Sequence, residues 1–145
     1  MRRPTDNTDA VPAEGRQVAT WGELVNYVKV NYHVSDQTDR MLRLQFPVGD
    51  RSQVVFVWHV WMADGEDWIQ IESPIGKLTD INVRALLELV EKAVVGGAAA
   101  LEGFAVLRHA VPLADMCVAE FKSPFMSIIV LADQFENQMT GMDRY

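Results

Sequence analysis

The feature that most constrains the fold is the run QVVFVWHVWM at positions 53–62, in which nearly every residue is apolar or aromatic. Valine and aromatic side chains favour extended strands, and the run is shorter than a typical buried helix. A strand with apolar side chains on both sides needs cover on both sides. The run therefore predicts a central strand with one face on the protein's own core and a second apolar face to account for.

The segments on either side of this run have the pattern of half-buried strands. Positions 42–46 alternate apolar and polar residues and end at Pro47, and positions 67–73 alternate in the same way. The dipeptide Asp64-Gly65 between the last two segments is typical of a hairpin turn. Together they predict a three-stranded antiparallel meander.

Apolar residues at helical spacing predict three helices around this meander. Thr20 and Glu23 have the spacing of a capping box before the first helix, and Ser123-Pro124 has the pattern of an N-cap followed by proline at the first helical position. The predicted helices span 20–33, 83–94 and 124–140, and a second hairpin joins 98–101 to 104–111. The element order α-β-β-β-α-β-β-α predicts the α+β class, an antiparallel sheet with helices on one face.

Composition places limits on the protein class. The chain has 145 residues, of which 20 are acidic and 13 basic, with a net charge of −7 and one cysteine. We expect a disordered leader at 1–18 and one domain at 19–142, without a disulfide framework. The acidic balance disfavours binding to nucleic acid or to an anionic membrane, and no apolar run is long enough for a membrane span. We expect a cytoplasmic protein.

The hairpin turns predict which side chains share a face of the sheet. A two-residue Asp64-Gly65 turn pairs Val60 with Ile69, and a turn centred on Asp50 pairs Leu44 with Phe56. The same registers pair Ala63 with Glu66, Trp61 with Trp68, Trp58 with Ile71, Phe46 with Val54 and Leu42 with Trp58. They place on the helix-covered face Leu42, Leu44, Phe46, Val54, Phe56, Trp58, Val60, Ile69 and Ile71.

The opposite face would then carry an apolar stripe with a polar rim. Its residues are Met41, Arg43, Gln45, Val55, Val57, His59, Trp61, Trp68, Gln70 and Glu72. Tryptophan, methionine and arginine are enriched in protein-binding surfaces, and an uncovered apolar patch of this kind is unusual on a monomer. Either another part of the chain covers the stripe, or it binds a second copy or a client protein.

Residues with catalytic or metal-binding potential form no recognised motif. His33, His59 and His109 lack metal-ligand spacing, although His59, His109 and Glu72 could meet in space. Cys117 lacks a nearby base and is expected to be structural, and the acids around the Asp64-Gly65 turn are expected to be solvated. We therefore predict no catalytic residue, metal or cofactor.

Several segments resemble the bacterial type III secretion chaperone-like and YbjN-like superfamily over positions 20–142. The segments that carry the resemblance are Gly65-Glu66-Asp67-Trp68, Ser73-Pro74-Ile75-Gly76, Leu107-Arg108-His109-Ala110 and Ala132-Asp133. The resemblance implies a compact α+β domain that commonly dimerises and binds other proteins, in some cases as a secretion or assembly chaperone. It implies no catalytic residues.

These observations favour a non-enzymatic protein-binding domain that forms a homodimer or holds a client through the second sheet face. The alternative is a small-ligand sensor or enzyme with a pocket between sheet and helices, anchored by His59 or His109. A scaffold subunit of a larger assembly is a third possibility.

Overall fold

The computed structural model describes residues 13–140, which form one antiparallel sheet with three helices. The helices are α1 (Trp21–Asn31), α2 (Val83–Glu91) and α3 (Val118–Thr140), and a short 3₁₀ turn spans Ala13–Gly15. The strands are β1 (Val34–Gln37), β2 (Met41–Val48), β3 (Arg51–Trp61), β4 (Asp67–Lys77), β5 (Gly97–Leu101) and β6 (Phe104–Pro112). The predicted α+β class and element order are confirmed, with β1 as a further strand.

β1 escapes sequence analysis because it is short and mostly polar. Its sequence, VSDQ, has a single strongly apolar residue, Val34, and lacks the alternation that marks a half-buried strand. The strand pairs with β2 at the edge of the sheet, with an irregularity between Val34 and Asp36. Short, polar edge strands are a common way to limit unwanted strand pairing.

The sheet has the strand order β1-β2-β3-β4-β6-β5, and all neighbours are antiparallel. The three helices share one core with one face of the sheet, to which α1 contributes Leu24, α2 Leu86 and α3 Phe121. α3 is the main cover, since it contacts β2, β3, β4 and β6. None of the described helices is both long and apolar enough to cross a membrane.

The start of α1 confirms the predicted cap. Thr20 Oγ1 accepts a hydrogen bond from the Glu23 backbone N–H at 3.1 Å. Glu23 Oε2 accepts from the N–H of Ala19, one residue before the cap, at 3.2 Å. The capping residues therefore determine where the helix begins.

The predicted start of α3 is wrong. The helix begins at Val118, and Pro124 lies inside it. Proline has no N–H to donate to a helical hydrogen bond. It is therefore usually found in the first turn of a helix, where that bond is not needed. Here the apolar face on both sides of the proline is buried, with Phe121 and Phe125 fully inside the core. Burial of this face outweighs the lost hydrogen bond.

The domain also includes residues that we assigned to the leader. Val18 is buried, and its N–H donates to the Met116 carbonyl at 2.9 Å. The Arg16 carbonyl accepts from the Val118 N–H at 2.9 Å, so this segment pairs with the chain that enters α3. Residues 13–18 thus belong to the domain, while positions 1–12 of the predicted leader and 141–142 of the predicted domain lie outside the described residues.

Both predicted registers of the meander are wrong by one residue. Leu44 pairs with Val55 instead of Phe56, and Val60 pairs with Trp68 instead of Ile69. The predicted pairs Leu42 with Trp58, Phe46 with Val54, Trp58 with Ile71 and Trp61 with Trp68 shift in the same way. Ala63, which we paired with Glu66, lies in the turn. Because side chains alternate along a strand, a one-residue slip against both neighbours turns the side chains of β3 to the opposite face relative to β2 and β4.

The two turns explain the slip. The first is a two-residue turn of Gly49 and Asp50 with Gly49 at a φ of 63°, so it is not centred on Asp50. The second has three residues, 63–65: the Gly65 N–H donates to the Met62 carbonyl, and the Met62 N–H donates to the Glu66 carbonyl, both at 2.9 Å. Gly65 has a φ of 87°, as expected for a type I turn followed by a left-handed residue.

Candidate functional site

The one-residue slip reverses β3 alone, because the predicted faces of β2 and β4 are correct. Val55 and Val57 are 0% exposed and lie in the core under the helices, although we predicted them on the binding face. Phe56 and Trp58, which we predicted in the core, point to the opposite side and are half-buried. Val54 and Val60 lie on that same opposite side, again contrary to the prediction.

We call the sheet face opposite the helices the open face. Five of the predicted binding residues lie on it: Met41, Arg43, Trp68, Gln70 and Glu72. Each lies on the same face as the outward side chains of β3, since Met41 pairs with Trp58, Arg43 and Glu72 with Phe56, Gln70 with Trp58 and Trp68 with Val60. Gln45, from the predicted rim, also belongs to it through its pairing with Val54. No helix within residues 13–140 packs on this face.

The remaining two predicted residues, His59 and Trp61, lie on the helix side at the end of β3. The His59 ring stacks on Trp21 at 5.2 Å between centroids, and its Nε2 lies 3.2 Å from Asp67 Oδ1. Trp61 is 48% exposed beyond the helices, with the Arg40 guanidinium 4.3 Å above its ring. They form a separate aromatic cluster instead of joining the open face.

A groove of about 430 Å³ runs across the open face. Its apolar lining includes Val54, Phe56, Trp58, Pro74 and Val106, and the Phe56 and Trp58 rings stack at 6.2 Å between centroids. Arg43 lies on the β2 side, and Leu101 and Glu102 lie at the β5–β6 turn on the other side. Sequence analysis missed Phe56, Trp58 and the β5–β6 contribution. The glycine at position 49, at the first site of a two-residue turn, was the signal that could have corrected the β3 face.

One ion pair lies in the middle of the open face. Glu72 is only 4% exposed, and its Oε2 is 3.3 Å from Arg108 Nη2. Glu72 Oε2 and Arg108 Nε nevertheless lack a well-aligned hydrogen bond. A buried carboxylate without a cation would be strongly unfavourable, so Arg108 offsets the charge of Glu72. The pair leaves the floor of the groove close to neutral.

The histidines and the cysteine lie in separate places. His109 is on the helix side of β6, and its Nδ1 accepts from the Gly96 N–H at 3.2 Å. Cys117 is half-buried, and its backbone forms an isolated antiparallel β-bridge with Gln17. Within residues 13–140 no three side chains of the His, Cys, Asp or Glu type are grouped as metal ligands. His59, His109 and Glu72 do not meet in space, since Glu72 lies on the opposite face from both histidines.

No protein-family model matches the chain, and a search of curated proteins finds no significant match. The resemblance to the secretion chaperone-like and YbjN-like superfamily therefore stays a prediction.

Proposed function

We propose that this chain is a non-enzymatic protein-binding domain that holds another polypeptide, a second copy or a client segment, on its open face. The observation that carries the proposal is the apolar groove on the sheet face that none of the described helices covers. The resemblance to secretion chaperones supports the same class of function, with the expectation of a small acidic binding domain.

The chemistry of the open face agrees with binding to protein. Aromatic residues, methionine and arginine are enriched in protein interfaces, and tryptophan and arginine dominate their binding energy. Trp58, Trp68, Met41 and Arg43 supply these types on one surface. Trp58 and Trp68 are partly exposed, which leaves apolar area that a partner could remove from water, at about 25 cal/mol per Å².

The small-ligand alternative places its pocket between the sheet and the helices, with His59 or His109 as the anchor. His59 and His109 are both on the helix side, and each has a local partner, Asp67 and the Gly96 N–H respectively. The groove lies on the other face of the sheet, so neither histidine lines it. No observation at these two residues favours a ligand, and the protein-binding proposal remains the stronger one.

Site-specific crosslinking tests the proposal directly. A photoreactive phenylalanine analogue that replaces Trp58 would lie in the groove. The same analogue in place of Leu87, which is 54% exposed on α2, would lie outside the groove and serves as the control. We expect position 58 to form a covalent adduct with a polypeptide in the native cell and position 87 to give none with the same partner.

A matched pair of substitutions completes the test. Trp58→Glu should weaken binding of the crosslinked partner about tenfold or more, while Leu87→Glu should leave it unchanged, with both variants folded by circular dichroism. Absence of any polypeptide adduct at position 58, or equal binding by the two variants, would contradict the proposal.

A further inference from the structure

The Glu72–Arg108 pair on the open face makes fewer hydrogen bonds than its groups can form. Glu72 lines the groove, and its side chain accepts no hydrogen bond from residues 13–140; its polar contact in that range is the 3.3 Å ion contact with Arg108 Nη2. The Arg108 guanidinium makes no other hydrogen bond or ion pair within the same range. A carboxylate accepts and a guanidinium donates several hydrogen bonds. Water must therefore supply the rest while the groove is open.

The pair is accessible from the groove and from the edge of the sheet. In the strand register Glu72 lies between Phe56 and Arg108, and Arg108 pairs with Gly97 on the edge strand β5. Apart from its chain neighbours, no atom of the described chain lies within 4 Å of the place where a Cβ of Gly97 would be. The Arg108 side chain is 32% exposed. The pair is thus a polar point in a floor that Phe56 and Val106 make apolar.

The two ends of the groove favour neither an acidic nor a basic segment. At one end Asp36 pairs with Arg43 in the register of β1 and β2. At the other end Lys77 lies on the open face through its pairing with Phe104, beside Glu102 in the β5–β6 turn. Each end therefore carries both signs of charge, and the selection of a partner depends on the centre of the groove.

A partner that fills the groove removes this water, which limits the side chains that suit the pair. An apolar side chain would leave the unused lone pairs and N–H groups buried and unsatisfied, which is strongly unfavourable. A lysine or an acidic side chain would compete for one member of the pair and leave the other with an uncompensated charge. A carboxamide is neutral, donates from its nitrogen and accepts at its oxygen, so it can serve Glu72 and Arg108 at once. A hydroxyl offers both functions only at a single atom.

We infer that the polypeptide held by the groove places an asparagine or glutamine side chain against the Glu72–Arg108 pair, with apolar residues on both sides of it in the bound segment. The inference rests on the proposed function, since it needs the open face to bind protein. It adds the chemistry of the bound segment, which the proposed function leaves open.

Selection from a random peptide library on the immobilised full chain tests the inference. We expect the peptides that wild type binds, and that Trp58→Glu does not bind, to share an asparagine or glutamine between apolar residues. In a synthetic peptide of this kind, replacing the amide residue by leucine or aspartate should weaken binding to wild type about tenfold or more, as measured by calorimetry. This second comparison needs no variant of the protein.

Removing both charges isolates the role of the pair. Glu72→Met combined with Arg108→Met replaces the ion pair by apolar side chains of similar length and leaves no charge unpaired. This double variant should lose the preference for the amide peptide over its leucine form. Arg84→Met combined with Glu88→Met is the matched control, because it removes an exposed ion pair on α2, and it should keep the preference of wild type. Circular dichroism checks the fold of both.

Several results would overturn the inference. Groove-bound peptides that share no asparagine or glutamine, or that share a serine, a threonine or a charged residue in its place, would do so. A leucine form that binds wild type as tightly as the amide form would do so too, as would a folded double variant that keeps the preference. A library that gives no peptide whose binding depends on Trp58 has the same consequence.

These results are distinct from failure of the proposed function. If position 58 still crosslinks to a polypeptide in the native cell and Trp58→Glu abolishes that binding, the open face binds protein and only the chemistry assigned to the bound segment is wrong. Both fail if position 58 contacts no polypeptide.

Discussion

His59 lies against the rings of two tryptophans and close to a carboxylate. Trp21 stacks on its ring, the Trp61 ring lies 4.4 Å away between centroids, and Asp67 Oδ1 is 3.2 Å from its Nε2. These contacts join the start of α1 to the ends of β3 and β4. At the scale of single residues, a side chain with catalytic potential thus serves to connect elements.

Tyr32 offers a test at the same scale. It packs against Phe46 and Phe125, with centroid distances of 5.7 Å and 5.3 Å. Burial raises the pKa of Tyr32 to about 12, and a hydrogen bond with Tyr27 adds to the shift. Between about pH 10, where a tyrosine in the unfolded chain loses its proton, and about pH 12, the folded protein still keeps it. The free energy of unfolding therefore falls as the pH rises through this window, and the full contribution is present below it.

Tyr32→Phe should remove this part of the alkaline loss. Urea unfolding at several values from about pH 9 to pH 12 gives the free energy of unfolding of both proteins. The difference between wild type and variant isolates Tyr32, because the other tyrosines contribute equally to both. Equal slopes for wild type and variant would show that Tyr32 does not hold its proton more tightly in the folded protein.

At the scale of elements, β3 decides the surface chemistry of the whole sheet. It is apolar on both sides, so its composition is compatible with either face turned inward. The neighbouring strands determine the choice: Leu42 pairs with Val57, and Val57 pairs with Ile71, which together form one apolar layer under the helices.

Two valines in β3 test this orientation. Val57 is fully buried and Val60 is partly exposed on the open face. Val57→Asp should cost about 4 kcal/mol or more, because it buries a charge without a partner, and Val60→Asp about 1 kcal/mol. Chemical denaturation measures both. The orientation of β3 would be contradicted if Val60→Asp were the more damaging change.

At the scale of the whole molecule, an ion-pair cluster joins the start of β3 to the last helix. Arg51 at the start of β3 contacts Asp133 at 2.9 Å through Nε and Glu136 at 3.2 Å through Nη2. Both carboxylates are buried in α3. The residues are far apart in the chain, so only the folded protein brings them together.

Arg51→Ala should destabilise the protein by about 3 kcal/mol, since it leaves two buried carboxylates without this cation. Arg84→Ala is the matched control, because Arg84 pairs with Glu88 on the exposed surface of α2, and its loss should cost less than about 0.5 kcal/mol. Thermal or urea unfolding compares the two. Similar losses for both would show that burial does not strengthen the Arg51 cluster.

Sequence patterns predicted most elements because local chemistry decides them. Thr20 and Glu23 cap α1, and the alternation in β2 and β4 correctly predicts their inward residues. The patterns gave wrong predictions where tertiary packing outweighs the local preference of a residue. Pro124 suggests a helix start, but buried side chains on both sides of it extend α3 through the proline.

The sequence by itself determined the α+β class, the order of the elements and the presence of more apolar side chains in β3 than one core can use. The tertiary structure alone decided which of those side chains stay available for a partner. The physical reason is the period of two along a strand. The turns at Gly49 and Gly65 shift the register by one residue, which buries Val55 and Val57 and leaves Phe56 and Trp58 on the open face.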